Sequence, residues 1–266
     1  MNPEKQIQDN PYNLPPVKQV SPHHIFRWLA LGWKDMQKAG APSLLHGVIL
    51  TGISVAIITI TLFYWALLPG AVTGFLLTGP FLATGLYVLS QRLEAGRPAS
   101  FEDVVHAWRH GSRYLLNIGL LLVLSATAWV LFSVLMFHFF IDITILEPLD
   151  FLRHILTQDD QTFMLWTILG GLGTALAFAA SVISIPLLVD REVSTQQAIL
   201  TSVASVGHNP GTMLLWAMTI FIFTGLSLIT FMLGFIIFYP ILGHASWHAY
   251  RDMIDASGLP LRPSID

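Results

Sequence analysis

Residues 212–250 read TMLLWAMTIFIFTGLSLITFMLGFIIFYPILGHASWHAY and contain no Asp, Glu, Lys or Arg. About 20 apolar helical residues cross a bilayer core of roughly 30 Å. This run is about two crossings long, so it must turn back on itself. Gly234 is the expected turn, dividing a span at about 212–231 from one at about 233–251. In lipid every backbone donor and acceptor must be paired inside the segment, which selects helix. The stretch therefore makes the chain an all-α membrane protein.

Four more stretches qualify as spans, at about 44–66, 70–91, 114–138 and 163–189, with Leu68-Pro69-Gly70 separating the first pair. Residues 1–20 read as a disordered cytoplasmic tail, residues 21–255 as a six-helix transmembrane domain and residues 256–266 as a second cytoplasmic tail. The composition agrees: 54% of the 266 residues are hydrophobic and 11% charged, against about 25% charged in a soluble domain. A net charge of −3 gives no reason to expect a nucleic-acid partner, and the absence of cysteine excludes disulfides, thiolate metal sites and cysteine nucleophiles. Lys5, Lys18, Arg27, Lys34 and Lys38 precede the first apolar run, which argues against a cleaved signal peptide. No glycine-rich phosphate loop, Gly-x-Ser-x-Gly elbow or metal-type carboxylate cluster is present, so the reading leans away from an enzyme.

Basic residues set the orientation. With both termini in the cytoplasm, only Arg153 of the 13 Lys and Arg residues faces out. The 139–162 connection carries Asp142, Glu147, Asp150, Asp159 and Asp160 instead. The expected topology is N-in, C-in, with three out-and-back hairpins.

Short amphipathic helices are expected at the interface. Ser100 and Ser194 are each followed three residues later by Asp103 or Gln197, the spacing of a capping box. Aligning them relates GRPASFEDVVHAW to DREVSTQQAILTS as an internal repeat. Phe101, Val104, Val105 and Trp108 recur at helical spacing behind the first serine, and Ala198, Ile199 and Val203 behind the second. Residues 21–39 give a further interfacial helix through Ile25, Trp28, Leu29 and Leu31, and residues 147–156 an outer one through Leu149, Leu152 and Ile155. Pro80, Pro186 and Pro240 each fall in an inward-running span and are expected to kink it.

GPFLATGLYVLSQRLEAG at 79–96, SIPLLVDR at 184–191, AILTS at 198–202, NPGTMLLWA at 209–217 and YPILGHASWHAYR at 239–251 resemble the DUF2189 family of predicted bacterial integral membrane proteins. The resemblance runs from residue 25 to residue 252. It implies a multi-pass protein of the bacterial cytoplasmic (inner) membrane. Some members carry the label of cytochrome c oxidase subunit, which implies the respiratory chain as a setting. The family supplies no catalytic residues.

Three constellations stand out. His244 and His248, four apart, share one helical face, and His46 begins the first span at the same membrane end. Neutral imidazole ligates haem and metals, so these three are the candidate cofactor residues. The alternative is interfacial packing, where His, Trp and Tyr belong. Arg92, Glu94, Asp190, Arg191, Arg251 and Asp252 end the inward spans and read as structural ion pairs, because charge near a helix end reaches water cheaply. Gly170, Gly171, Gly173 and Ala175 crowd the fourth span, where small residues let helices approach.

The leading expectation is a non-catalytic accessory or assembly subunit of a larger membrane complex without a cofactor. Its partners would be the bilayer and other membrane subunits, a cytochrome oxidase first among them. The alternatives are a haem b electron carrier with axial histidines and a small-solute transporter with its site near the three prolines.

Overall fold

A computed structural model describes residues 12–64, 67–109, 112–140 and 161–262. Among them the ordered elements are helices: α1 (His24–Ala39), α2 (Ala41–Phe63), α3 (Leu68–Leu82), α4 (Thr84–Glu94), α5 (Phe101–Arg109), α6 (Arg113–Phe139), α7 (Gln161–Ser181), α8 (Ser184–Asp190), α9 (Thr195–His208), α10 (Pro210–Ile229) and α11 (Phe235–Met253). Arg153, the acidic residues of 142–160, the expected outer helix with Leu149, Leu152 and Ile155, and the Trp108 side chain lie outside the described residues.

Four stretches are long and apolar enough to cross a membrane: α2, α6, α7 with α8, and α10. The expected second span is broken instead. Pro80 lies inside α3, and the helix ends two residues later before α4 restarts at Thr84. Proline lacks the donor that its turn needs and crowds the preceding one. Pro186 acts likewise. α7 stops at Ser181, α8 begins at Ser184, and the backbone N–H of Ile183 donates to Ser202 Oγ at 3.1 Å. Pro240 leaves α11 continuous. There Gly47 of α2 comes so close that a Cβ would stand 2.5 Å from the Ile236 carbonyl oxygen. That carbonyl is the one Pro240 cannot bond.

The chain forms two compact units. The first comprises Met1–Thr51, Pro80–Ile118 and Ala179–Asp266. In it α11 is the centre. α1 lies along it, with Gly32 against the Ile241 carbonyl and Ala245, and α4 meets it where Leu86 packs on Gly243. α1 buries Ile25, Trp28, Gly32, Asp35, Met36 and Ala39, one stripe at helical spacing. Phe26 and Trp33 stay exposed on its other side. Both expected caps form. Ser194 Oγ accepts from the Gln197 N–H, and Ser100 and Asp103 bond reciprocally.

The second unit comprises Gly52–Gly79 and Gly119–Phe178. Its core is aromatic. Trp129, Phe137, Phe163 and Trp166 pack together, with Trp129 and Trp166 stacked at 5.7 Å. Trp166 Nε1 donates to the wholly buried Ser133 Oγ at 2.9 Å, so the indole is satisfied without water.

One expectation needs correction, and a second holds in place but not in conformation. Leu68-Pro69-Gly70 opens α3 rather than dividing two helices, as suits a proline in a first turn. The turn between α10 and α11 falls at 230–234 and includes Gly234 as expected, but its left-handed backbone is supplied by Phe231 and Met232, with φ of 52° and 67°. Gly234 has an ordinary φ of −57°, and its side chain is absent because a Cβ would meet Ser227 Cα at 2.8 Å.

The tails also differ from expectation where they are described. The Lys18 N–H donates to the Met253 carbonyl at 2.7 Å, and Val17 bridges Ile254. Asn209 Nδ2 donates to the Lys18 carbonyl and Oδ1 accepts from the Val20 N–H. At the other end, Leu261 bridges Arg191 and the Glu192 N–H donates to the Pro260 carbonyl. Residues 13–20 and 259–262 are therefore straps across the helix ends, held by backbone bonds.

Candidate functional site

The polar residues of the first unit gather at the end of α11, in two networks. The first is centred on His244, which is wholly buried. Ser90 Oγ donates to Asp35 Oδ2 at 2.8 Å. With its hydrogen committed there, the Ser90 oxygen accepts from His244 Nδ1 at 2.7 Å. A neutral ring carrying its proton on Nδ1 has an acceptor at Nε2, and the Ser43 hydroxyl donates to it at 2.7 Å. This tautomer follows from the bonding pattern. His248, one turn along α11, meets the same Asp35 oxygen through Nε2 at 2.8 Å. The chain Ser43–His244–Ser90–Asp35–His248 joins α1, α2, α4 and α11.

Asp35 lies outside the membrane-spanning segments, on α1. Burial pushes its carboxyl pKa up, but bonds from His248 and Ser90 outweigh that and hold it below the ordinary value of 3.8. It sits as a carboxylate among donors.

The second network is centred on Asp190 of α8. Its Oδ2 accepts from Tyr250 Oη at 2.6 Å and from Arg191 Nε at 2.9 Å, with Arg251 at 3.4 Å, while Oδ1 accepts from Gln91 Nε2 at 3.1 Å. Glu94 accepts from Trp247 Nε1 at 2.9 Å and from Arg251 at 3.0 Å. Arg92 turns instead to Asp103 at the start of α5, at 2.5 Å. Asp252 faces α1, taking Trp28 Nε1 at 2.8 Å and Arg27 at 3.4 Å. The six charges singled out from sequence thus divide among three sets of partners. Asp35, Ser43, Ser90, Gln91 and Tyr250 were not among the candidate residues.

The three candidate histidines differ in what they have to offer. His244 has both nitrogens engaged by serines, and a haem taking it as axial ligand would displace one of those bonds. His248 has Nε2 on Asp35. His46 donates Nδ1–H to the Pro42 carbonyl at 2.8 Å, and its Nε2 lies against Gly85. Ligation of a haem by His244 would therefore require a serine bond to break, whereas His46 keeps Nε2 outside its bond to Pro42. No cluster of three or more His, Asp or Glu placed to hold a metal occurs among the described residues.

Chemically, Ser43 bonded to His244, with a carboxylate one hydroxyl behind the ring, has the order of a nucleophile, base and orienting acid. Ser43 is completely buried at the first turn of α2. The arrangement acts as a clasp. None of its buried side-chain nitrogen or oxygen atoms lacks a partner, which is what a buried network needs to be stabilising.

A helical chain whose exposed surface is leucine-rich, with four helices able to cross a bilayer, is a multi-pass integral membrane protein. Residues 67–190 match the family model described as "Predicted integral membrane protein (DUF2189)", the same family that the sequence motifs resemble. The matched region contains the Pro80 and Pro186 motifs and ends at Asp190, before the motifs of α10 and α11. No curated protein and no solved structure matches the chain.

Proposed function

We propose that the protein is a six-span protein of the bacterial cytoplasmic (inner) membrane, with both termini in the cytoplasm. In this reading it works without a cofactor, as an accessory or assembly subunit of a larger membrane complex. A respiratory oxidase is the favoured complex, by family label alone. The two additional crossings are α3 with α4 and α11. At about 1.5 Å per residue, the 19 residues of α11 approach the roughly 30 Å of a bilayer core. Orientation rests on the basic residues, and the exposed Phe26 and Trp33 beside Arg27 and Lys34 suit α1 to a cytoplasmic headgroup layer.

The observation that carries the reading is one face of α7. Thr167, Gly171, Thr174 and Ala175 share that face at helical spacing, and all four are exposed. A Cβ on Gly171 would meet nothing within 4 Å. Lipid gains nothing from such a face, whereas a second helix does, because small residues let two backbones approach closely. The occupant we assign is a transmembrane helix of another subunit.

Purification of the full chain from native membranes in a mild detergent tests this. A stoichiometric membrane subunit should co-elute, and Gly171→Leu should release it without lowering the melting temperature of the chain. A solitary monomer from native membranes refutes the reading. The absorption spectrum of the same sample bears on the haem alternative, where a Soret band at full occupancy would replace the cofactor-free reading.

A further inference from the structure

At the ends of α4, α8 and α11 lies a cavity of about 590 Å³. Small-molecule sites run from roughly 300 to 1,000 Å³, so its size is that of a ligand rather than of a few waters. Arg92, Arg97, Arg191, Arg251 and Arg262 line it, against only three carboxylates, Glu94, Asp103 and Asp190. All three acids are already shared. Asp190 takes Tyr250, Gln91, Arg191 and Arg251, Glu94 takes Trp247 and Arg251, and Asp103 takes Arg92 and the Ser100 cap. Glu192 acts on Arg262 from outside the lining, and counting it still leaves a positive excess.

Helix ends alone do not explain so many arginines. A helix C-terminus carries roughly half a negative charge. Arg92 in the last turn of α4 and Arg251 in the last turn of α11 answer two of the three ends. Arg97 lies beyond α4, and Arg262 is brought in by the C-terminal strap, where its backbone N–H donates to the Asp190 carbonyl at 3.2 Å. Burial holds the Arg262 guanidinium below its ordinary pKa, with Glu192 opposing. Arg92 Nε is buried and has no hydrogen-bond partner. Five guanidinium groups converging on one cavity give it a positive potential that favours an anion.

We propose that this cavity binds a phosphate-bearing anion. Guanidinium presents planar, paired donors that match phosphate oxygens two at a time, and the Trp247 wall offers an apolar face beside them. The phosphate is either the headgroup of an anionic lipid or part of a soluble phosphorylated molecule, and the recognition chemistry is the same for both. Basic pockets between helices at the cytoplasmic surface are known to take anionic headgroups. The site does not depend on the α7 face or on any partner subunit.

Thermal unfolding of the purified full chain tests it with two probes. Inorganic pyrophosphate is titrated in neutral detergent against sodium chloride of equal ionic strength. Separately, nanodiscs of phosphatidylcholine are compared with and without phosphatidylglycerol. Stabilisation by pyrophosphate identifies a soluble source, and stabilisation by phosphatidylglycerol alone identifies a lipid headgroup. Either supports the site if the R97Q/R262Q variant weakens the response roughly tenfold while R27Q, at the exposed Arg27 outside the lining, leaves it unchanged. R97K/R262K keeps the charge and guards against a folding defect, and it should weaken the response several-fold through loss of paired donors. No stabilisation by either probe beyond the salt control overturns the proposal, as does a wild-type response in R97K/R262K or R97Q/R262Q.

Discussion

Replacing Ser90 by Ala removes the one hydroxyl that serves two partners in the α11 network. In the native chain Ser90 Oγ donates to Asp35 at 2.8 Å and accepts from His244 Nδ1 at 2.7 Å. Asp35 keeps His248, but the wholly buried His244 loses its Ser90 partner and is left with the Leu86 carbonyl. An orphaned buried donor costs about 1–3 kcal/mol, and a bond to a charged group contributes about 1.5–3 kcal/mol. The two effects share one site and do not add fully, so Ser90→Ala should lose about 2–4 kcal/mol. Ser43→Ala orphans only the Nε2 acceptor and should lose about 1–2 kcal/mol. Side-chain bonds between helices in a bilayer average about 0.6 kcal/mol, so the size of the loss distinguishes a sealed protein interior from a lipid-like one. Unfolding in mixed micelles, followed by tryptophan fluorescence, measures it. The control is Thr59→Ala, which removes an exposed hydroxyl bonded within its own helix and should stay within about 0.5 kcal/mol. A Ser90→Ala loss no larger than the control would refute the network as a clasp.

Acid should act through Asp35. Its folded-state pKa lies below the ordinary 3.8, so its stabilisation is complete above that value and is lost as pH falls through the folded value. His248, His244 and Ser90 are the groups that face it. The wild type should therefore lose melting temperature below about pH 4 more steeply than Asp35→Asn, and parallel acid profiles would contradict this. Gly47→Ala places a methyl 2.5 Å from the Ile236 carbonyl, whereas Gly52→Ala on the same helix meets nothing within 4 Å. The first should cost about 1–3 kcal/mol or more and the second less than about 0.5 kcal/mol, read from melting curves. In the other unit, Ser133→Ala orphans the Trp166 N–H and should cost about 1–2 kcal/mol. Ser133→Ala combined with Trp166→Phe should recover part of that loss, and a cycle with no coupling would show that the bond carries no stability.

The sequence displays the lipid-facing half of this architecture openly, because apolar length is a local property. The 212–250 run forces a hairpin, and Pro186 marks a helix break through its own missing donor. Ser100 and Ser194 show their caps in the residue three places on. The left-handed backbone at Phe231 and Met232 was not legible, because two ordinary residues take it up only under the demand of the helices on either side. Asp35 was legible in principle. It falls on the stripe Ile25, Trp28, Gly32, Met36 and Ala39, where a carboxylate on an otherwise buried face signals a partner. Ser43 and Ser90 carry no such sign, since a serine in a helix is most often bonded to its own backbone, as Ser227 and Ser246 are. The pairing of Arg92 with Asp103 and of Asp252 with Trp28 depends on how α5 and α1 lie, which no spacing within α4 or α11 encodes.

The straps impose an order on assembly. Lys18 and Val20 wait for Asn209 and Met253, which are made some 200 residues later. At roughly 5–20 residues per second, that interval is on the order of ten seconds or more. During it α1, α2 and α4 stand without their α11 partner. Asp35, Ser43 and Ser90 then have only water or one another to bond. The layer that holds His244 can therefore be sealed only once α11 has been made, long after the three helices that supply Asp35, Ser43 and Ser90.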